Sequence, residues 1–285
     1  MDGFVTAMRA ELFIATRSTG NRLIVALPAL IVATQLFIVK LTESGQGARD
    51  ALLGTATFDD AVAINAYGHF VDGLSTGLIL LALILVAWSA YSFSNDRDTG
   101  AVRHLIIRRV SRRALLLAKL CVFHLSGLLS LVVLLACTAL ISSMMWEFAA
   151  VVEDGYELIG TEEIHREILL GLRLAVLPLP AAIAFGVLIS TFCQNATQAV
   201  AIALGVTLSL DIFKGLLGDL AHYLYVSFQP SLVDQSYLSD VGRIVRGYSD
   251  VMLDENVLQL NLWVPIPEML VFVAIALVLI QKRKL

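Results

Sequence analysis

Six long apolar runs separated by polar segments dominate the pattern of this chain, at roughly 22–41, 72–92, 115–144, 168–192, 196–213 and 263–280. Each reaches the roughly 17–25 apolar residues that a helix needs to cross a bilayer. None alternates with a period of two, which excludes membrane β-barrel strands. The pattern therefore predicts an all-α integral membrane protein with six transmembrane helices. The fourth and fifth runs are separated only by Cys193, Gln194 and Asn195, which predicts a helical hairpin. Ahead of the first run, residues 4–18 place Phe4, Met8, Leu12 and Ala15 on one helical face. Arg9 and Glu11 lie opposite, with Arg17 near the edge. That arrangement predicts an amphipathic helix on the membrane surface, the alternative being a plain extension of the first span. Thr19, Gly20 and Asn21 would break it and turn the chain inward.

The polar segments predict the connections. Segment 42–71 contains glycine, is mildly acidic and poorly periodic, and is expected to be a loop. Segment 146–167 is strongly acidic and ends in TEEIHREILLGLRL, whose first turn carries acidic residues and runs on into the fourth span. Pro178 and Pro180 should kink that span. Segment 214–262 is the largest soluble piece, too short for a large domain, and is expected to form a small outer cap. Within it, LLGDLAHYLYVSF should extend the fifth span or lie at the interface with Tyr223, Tyr225 and Phe228 at headgroup depth. VDQSYLSDVGRIVRGYSDVM should form one or two short amphipathic helices. No internal repeat or low-complexity linker is visible, so residues 1–285 are expected to be one membrane domain.

Composition agrees with this pattern. The chain is 58% apolar and 15% charged, too little polar surface for a soluble protein of 285 residues. The net charge of −4 conceals a strong asymmetry. If both termini face the cytoplasm, thirteen of the twenty Lys and Arg lie on that side, with only four of the 24 acids. The opposite connections hold Glu153, Asp154, Glu157, Glu162 and Glu163. This obeys the positive-inside rule and predicts a multi-pass protein of the cytoplasmic (inner) membrane with both termini inside. No cleavable signal peptide is evident. Cys121, Cys137 and Cys193 fall within spans or on the inner turn, which predicts unpaired thiols, and no metal-ligand spacing occurs.

The strongest candidate chemistry lies at 95–119, NDRDTGAVRHLIIRRVSRRALLLAK. It carries Arg97, Arg103, Arg108, Arg109, Arg112, Arg113 and Lys119 against only Asp96 and Asp98. Composition alone suits a basic helix on anionic lipid. The order of residues resembles the loop between the second and third spans of type-2 ATP-binding-cassette (ABC) permeases. In that family an acidic pair, Gly-Thr-Leu, a leucine-rich turn, Pro-Val-Ser-Arg and Leu-Leu-Gly-Lys follow one another. Asp96 and Asp98 fall on the acidic positions and Gly100 on the glycine. Arg103, Leu105 and Ile106 occupy the following helix, while Val110, Ser111 and Arg112 match Val-Ser-Arg and Lys119 the closing lysine. Ala101 and Val102 stand where the family has Thr-Leu, and Arg109 where it has proline.

The resemblance implies a cytoplasmic coupling helix that docks on a separate ABC-type ATP-binding subunit, with Asp96, Asp98, Gly100, Arg103 and Arg112 as coupling residues. It implies an exporter that works as a dimer with a second permease copy or homologue, in contact with membrane lipids and not with nucleic acid. No phosphate-binding loop occurs in the sequence, so the chain is expected to be non-catalytic and to bind no cofactor, with ATP and Mg on the partner.

Two other constellations need weighing. Gly73-Leu74-Ser75-Thr76-Gly77 spells Gly-x-Ser-x-Gly, so an intramembrane serine hydrolase using Ser75 is an alternative, with His69, His165 and His222 as possible bases. Small residues in a span more commonly permit close helix packing. Arg173, Asp211 and Glu268 lie in or near spans four, five and six and could line a translocation path, or else snorkel or pair near the outer interface. A signalling or mechanical subunit that uses an ATPase without moving a substrate is a third class.

Overall fold

The computed structural model describes residues 2–53, 65–100, 110–153, 156–230, 237–247 and 255–282. Helix α1 (Asp2–Arg17) is followed by α2 (Thr19–Leu53), α3 (Ala66–Asp98) and α4 (Arg112–Met145). A two-stranded antiparallel hairpin, β1 (Val151–Glu153) with β2 (Tyr156–Ile159), precedes α5 (Thr161–Val176), α6 (Leu179–Phe192) and α7 (Ala196–Phe213). Two 3-10 segments, Lys214–Tyr223 and Tyr225–Phe228, lead to α8 (Tyr237–Ile244), α9 (Glu255–Trp263) and α10 (Pro265–Lys282). Among the described residues, six helical stretches are long and apolar enough to span a membrane: Thr19–Asp50, Ala66–Asp98, Arg112–Met145, Thr161–Phe192, Ala196–Tyr223 and Glu255–Lys282. The protein is an all-α membrane protein, as the apolar pattern required.

Local chemistry sets the helix ends. The Asn65, Ser111 and Asn195 side chains accept hydrogen bonds from the first-turn amides of α3, α4 and α7, satisfying donors that a helix start leaves open. Glu162 and Glu163 occupy the first turn of α5, as predicted. The fourth span breaks at Leu177–Pro178, as expected from the prolines, so α5 and α6 are two rods of one crossing.

Helix α3 is the central post, packing against α2, α4, α6, α7 and α8. Leu74, Leu78, Leu81 and Leu85 recur at helical spacing on it and are almost fully buried. Close approach relies on small residues. A Cβ at Gly77 would sit 2.5 Å from Leu134 Cδ1, and one at Gly186 would sit 2.7 Å from the Val86 carbonyl oxygen of α3. Hydroxyls tie the same seams: the Ser94 amide donates to Ser190 Oγ (2.9 Å) and Ser130 Oγ donates to the Ile24 carbonyl (3.0 Å).

Four expectations need correction. Segment 42–71 is not wholly a loop, because α2 continues to Leu53 and α3 begins at Ala66. Isolated Gly45 and Gly47 cost a helix only about 1 kcal/mol each, which a long helix absorbs. The acidic segment 146–167 contains the β1–β2 hairpin; Asp154-Gly155 flanked by Val151, Val152, Tyr156 and Ile159 was the available signal. The break after α1 falls at Ser18, with Gly20 inside α2. Tyr225 and Phe228 are buried in the protein rather than turned outward as anchors, and Tyr225 packs with Phe185 and Phe272 at ring separations of 6.1 and 6.0 Å. Tyr223 is exposed. Burial also raises the Tyr225 hydroxyl well above its ordinary titration range. Of VDQSYLSDVGRIVRGYSDVM, the described part forms one helix, α8.

Candidate functional site

The charged stretch 95–119 is not one freestanding helix. Helix α3 runs through Asp98, Thr99 Oγ1 donates back to the Asn95 carbonyl (2.9 Å), and Gly100 turns the chain with φ +73°. That left-handed conformation suits glycine, and no other group among the described residues crowds the position. Helix α4 opens at Arg112 under the Ser111 cap, so the chain from Thr99 to Ser111, called the connector below, links the end of α3 to the start of α4. Arg103, Leu105, Ile106, Arg108 and Arg109 lie outside the described residues.

The acidic pair and the closing lysine of the motif turn inward. Lys119 Nζ donates to Asp96 Oδ2 at 2.6 Å, to Glu11 Oε2 at 3.0 Å and to Ser92 Oγ at 3.1 Å. All three ammonium donors are thereby used. Lys119 and Glu11 are 5% and 6% exposed, so this is an ionic cluster withdrawn from water. Burial lifts the Glu11 carboxyl above its ordinary range, the Lys119 charge and hydrogen bond pull it down by less, and Asp96 adds to the rise.

The face of α1 turned to the bundle therefore carries Ala7 and Glu11, whereas Phe4 and Leu12 are partly exposed. Assigning Glu11 to an outward polar face was incorrect, because Lys119 inside an otherwise apolar helix needs a counter-charge and α1 supplies one. A lysine two turns into a span, beyond the arginines at its mouth, was the signal for such a partner.

Two more contacts converge on the connector. Asp98 Oδ2 accepts from the Ala196 amide (2.9 Å), so the end of α3 caps the start of α7 beside the Cys193–Asn195 turn. Arg112 Nη1 reaches the Ile280 carbonyl in the last turns of α10 at 3.5 Å, the outer limit of a hydrogen bond. The N-terminal helix, the α3–α4 connector, the α6–α7 turn and the end of α10 thus meet at one end of the bundle. Both ends of the connector are held by elements from distant parts of the sequence.

The opposite end carries its own ties. Glu43 of α2 pairs with His69 of α3 (3.0 Å) and accepts from Trp146 Nε1 (2.8 Å), while the His69 and Trp146 rings stack. Arg246, just beyond α8, pairs with Asp72 of α3. Tyr237 Oη donates to Glu167 Oε2 (2.7 Å), docking α8 on α5, and burial together with that carboxylate raises the Tyr237 hydroxyl above its ordinary range.

Arg173, Asp211 and Glu268, the residues offered for a translocation path, sit in separate settings. Arg173 is exposed in the last turn of α5. Asp211 Oδ1 holds Lys214 Nζ (3.2 Å). Glu268 Oε2 accepts from the Tyr225 amide (2.5 Å). Asp211 and Glu268 thus fasten the segment after α7 to its neighbours. Ser75 lies in mid-α3 rather than on a strand–turn–helix elbow, and its flanking glycines serve packing: Gly73 meets Val32 and Thr138, and Gly77 meets Leu134 and Val32. The geometry that a nucleophilic serine requires is not formed there.

Comparison with protein families matches the ABC-2 family transporter proteins over residues 9–284. No curated protein and no solved structure matches the chain. The family match takes in all six spans and the connector, and proteins of this kind serve as the membrane component that works with an ATP-binding subunit. By this match and its six apolar helices, the chain belongs to the ABC-2 transporter family, as a multi-pass permease component.

Proposed function

We propose that this chain is the membrane-spanning half of an exporter, moving its substrate across the cytoplasmic membrane when a separate ATPase subunit pulls on the 99–111 connector. The observation that carries this reading is the anchoring of both connector ends. Asp96 and Lys119 join α3, α4 and α1, and Asp98 joins α3 to α7. A load applied to such a connector displaces several spans together instead of bending one loop, which is what rigid-body switching between two states needs. The basic connector, the N-terminal helix and the C-terminus then face the cytoplasm, in agreement with the positive-inside rule. ATP and Mg belong to the partner. A second copy or homologue completes the path, covering faces of α2, α7 and α10 left largely bare in the single chain. Asp96, Asp98 and Arg112 act by holding the connector, Gly100 by shaping it, and Arg103 by contact with the motor.

Co-purification with the ATPase tests the reading. Asp98→Arg places a cation at the amino end of α7, and Gly100→Trp puts an L side chain at φ +73°. Both should abolish ATPase association or permease-dependent hydrolysis, while Gly100→Asn, which tolerates that backbone, should keep it. Unchanged association and coupled hydrolysis in both disruptive variants would refute the assignment.

A further inference from the structure

A cavity of about 250 Å³ opens between α1, α3 and α4, directly over the ionic cluster. On the same measure one water needs only about 10–15 Å³, so this is space for a ligand rather than for a single solvent molecule. Trp88 and Tyr91 line one side, their rings stacked at 5.4 Å with a 23° interplanar angle. The wall is held in place. Tyr91 Oη donates to Asn95 Oδ1 (2.9 Å), and Gly20 admits the indole edge where a Cβ would lie 2.0 Å from Trp88 Cη2.

The other side is charged. Lys119 spends its three donors on Glu11, Asp96 and Ser92. The second oxygens, Glu11 Oε1 and Asp96 Oδ1, meet no donor among the described residues. With both carboxylates ionised, the cluster carries one net negative charge. An anion is disfavoured here, because Lys119, the cation of the cluster among the described residues, is already saturated. A bare metal ion is disfavoured too: two spare carboxylate oxygens beside aromatic rings make a poor shell for a hard cation. Aromatic rings lining the same cavity as carboxylates suit an organic cation, which gains from both the ring electrons and the negative charge.

We propose that this cavity binds a small organic ammonium ion, its charge on Glu11 and Asp96 and its alkyl surface on Trp88 and Tyr91. The same chemistry is offered by the ethanolamine headgroup of a membrane lipid and by a free amine. Either would bridge α1 to the two helices that carry the connector.

The full-length protein in maltoside micelles, with Trp146→Phe and Trp263→Phe, leaves Trp88 as the single indole reporter. Titration with choline or ethylammonium should give a saturable change in its emission, and the neutral carbon isostere of choline should give none. Glu11→Gln should weaken the response about tenfold or more. Tyr91→Leu, which alters no charge, should weaken it as well, with melting curves confirming that both variants fold. Reconstitution in phosphatidylethanolamine against phosphatidylglycerol separates the sources: competition by the former identifies a lipid headgroup, and undiminished choline binding identifies a free amine. The proposal is overturned if neither ammonium gives saturable binding, if the neutral isostere binds equally, or if both variants bind like the parent. Failure here would leave the ATPase-coupling reading intact, since that reading rests on the anchoring contacts and not on the cavity.

Discussion

Replacing Lys119 by Met removes one ammonium and leaves two carboxylates facing each other around a gap. At an effective dielectric of about 20, one pair at 3.0 Å is worth roughly 5 kcal/mol of gross attraction. Withdrawing each ion from water costs several kcal/mol, so the intact cluster contributes little net stability. Breaking it is different, because the desolvation of Glu11 and Asp96 then goes uncompensated. The expected destabilisation of Lys119→Met is about 3–5 kcal/mol, reduced to the extent that Glu11 takes up a proton. Adding Glu11→Gln to Lys119→Met removes one of the stranded charges. The pair should therefore be less damaging than the sum of the single changes, by about 1–3 kcal/mol. Thermal melts of the four proteins in detergent measure this cycle. Limited trypsinolysis at Arg9 and Arg17 reports release of α1, and cleavage should accelerate in Lys119→Met. Additive single changes, with α1 as resistant as in the parent, would show that the cluster does not hold α1 to the bundle.

Glu11 also predicts a pH dependence. Its carboxyl titrates above the 4.5 of an ordinary glutamate, so the folded protein takes up the proton before the unfolded chain does. The contribution to stability is fully present below about pH 4.5 and is lost as pH rises through the higher folded value. Melting temperature against pH should show this component, and Glu11→Gln should flatten it. Gly186→Ala pushes a methyl to 1.9 Å from Ser89 Oγ and 2.7 Å from the Val86 carbonyl, so it should cost about 1–3 kcal/mol in a thermal melt. Gly205→Ala, with nothing within 4 Å, should be neutral or slightly stabilising in the same assay. Asp98→Ala deletes the acceptor at the start of α7 and should cost about 1 kcal/mol of stability while lowering permease-stimulated ATP hydrolysis by a larger factor. Ser75→Ala should leave hydrolysis, transport and the absence of fluorophosphonate labelling unchanged; labelling that disappears in this variant would restore the hydrolase alternative.

Much of the architecture was legible because a bilayer imposes one strong rule on sequence. An uninterrupted apolar run of about 20 residues must be a helix that satisfies its own backbone, so six runs announced six spans. The proline pair announced the break between α5 and α6, and the Asn195 cap closed the short hairpin turn. The reading was weakest where polar residues serve more than one purpose. Gly45 and Gly47 suggested a loop, yet α2 passes through them. Tyr225 and Phe228 have the composition of interface anchors, yet both are buried, Tyr225 against Phe185 and Phe272.

At the candidate site, the sequence by itself located the acidic pair, the glycine and the lysine by their order and spacing around a charged gap between spans. It determined that they belong to a connection at a membrane boundary, because so many charges cannot lie in hydrocarbon. Their partners were decided only by tertiary structure. Lys119 meets Glu11 from 108 residues away, and Asp98 caps an amide 98 residues further on. Spacing along a helix fixes which face a residue occupies, but which distant charge neutralises it depends on how the helices pack, and no local pattern encodes that.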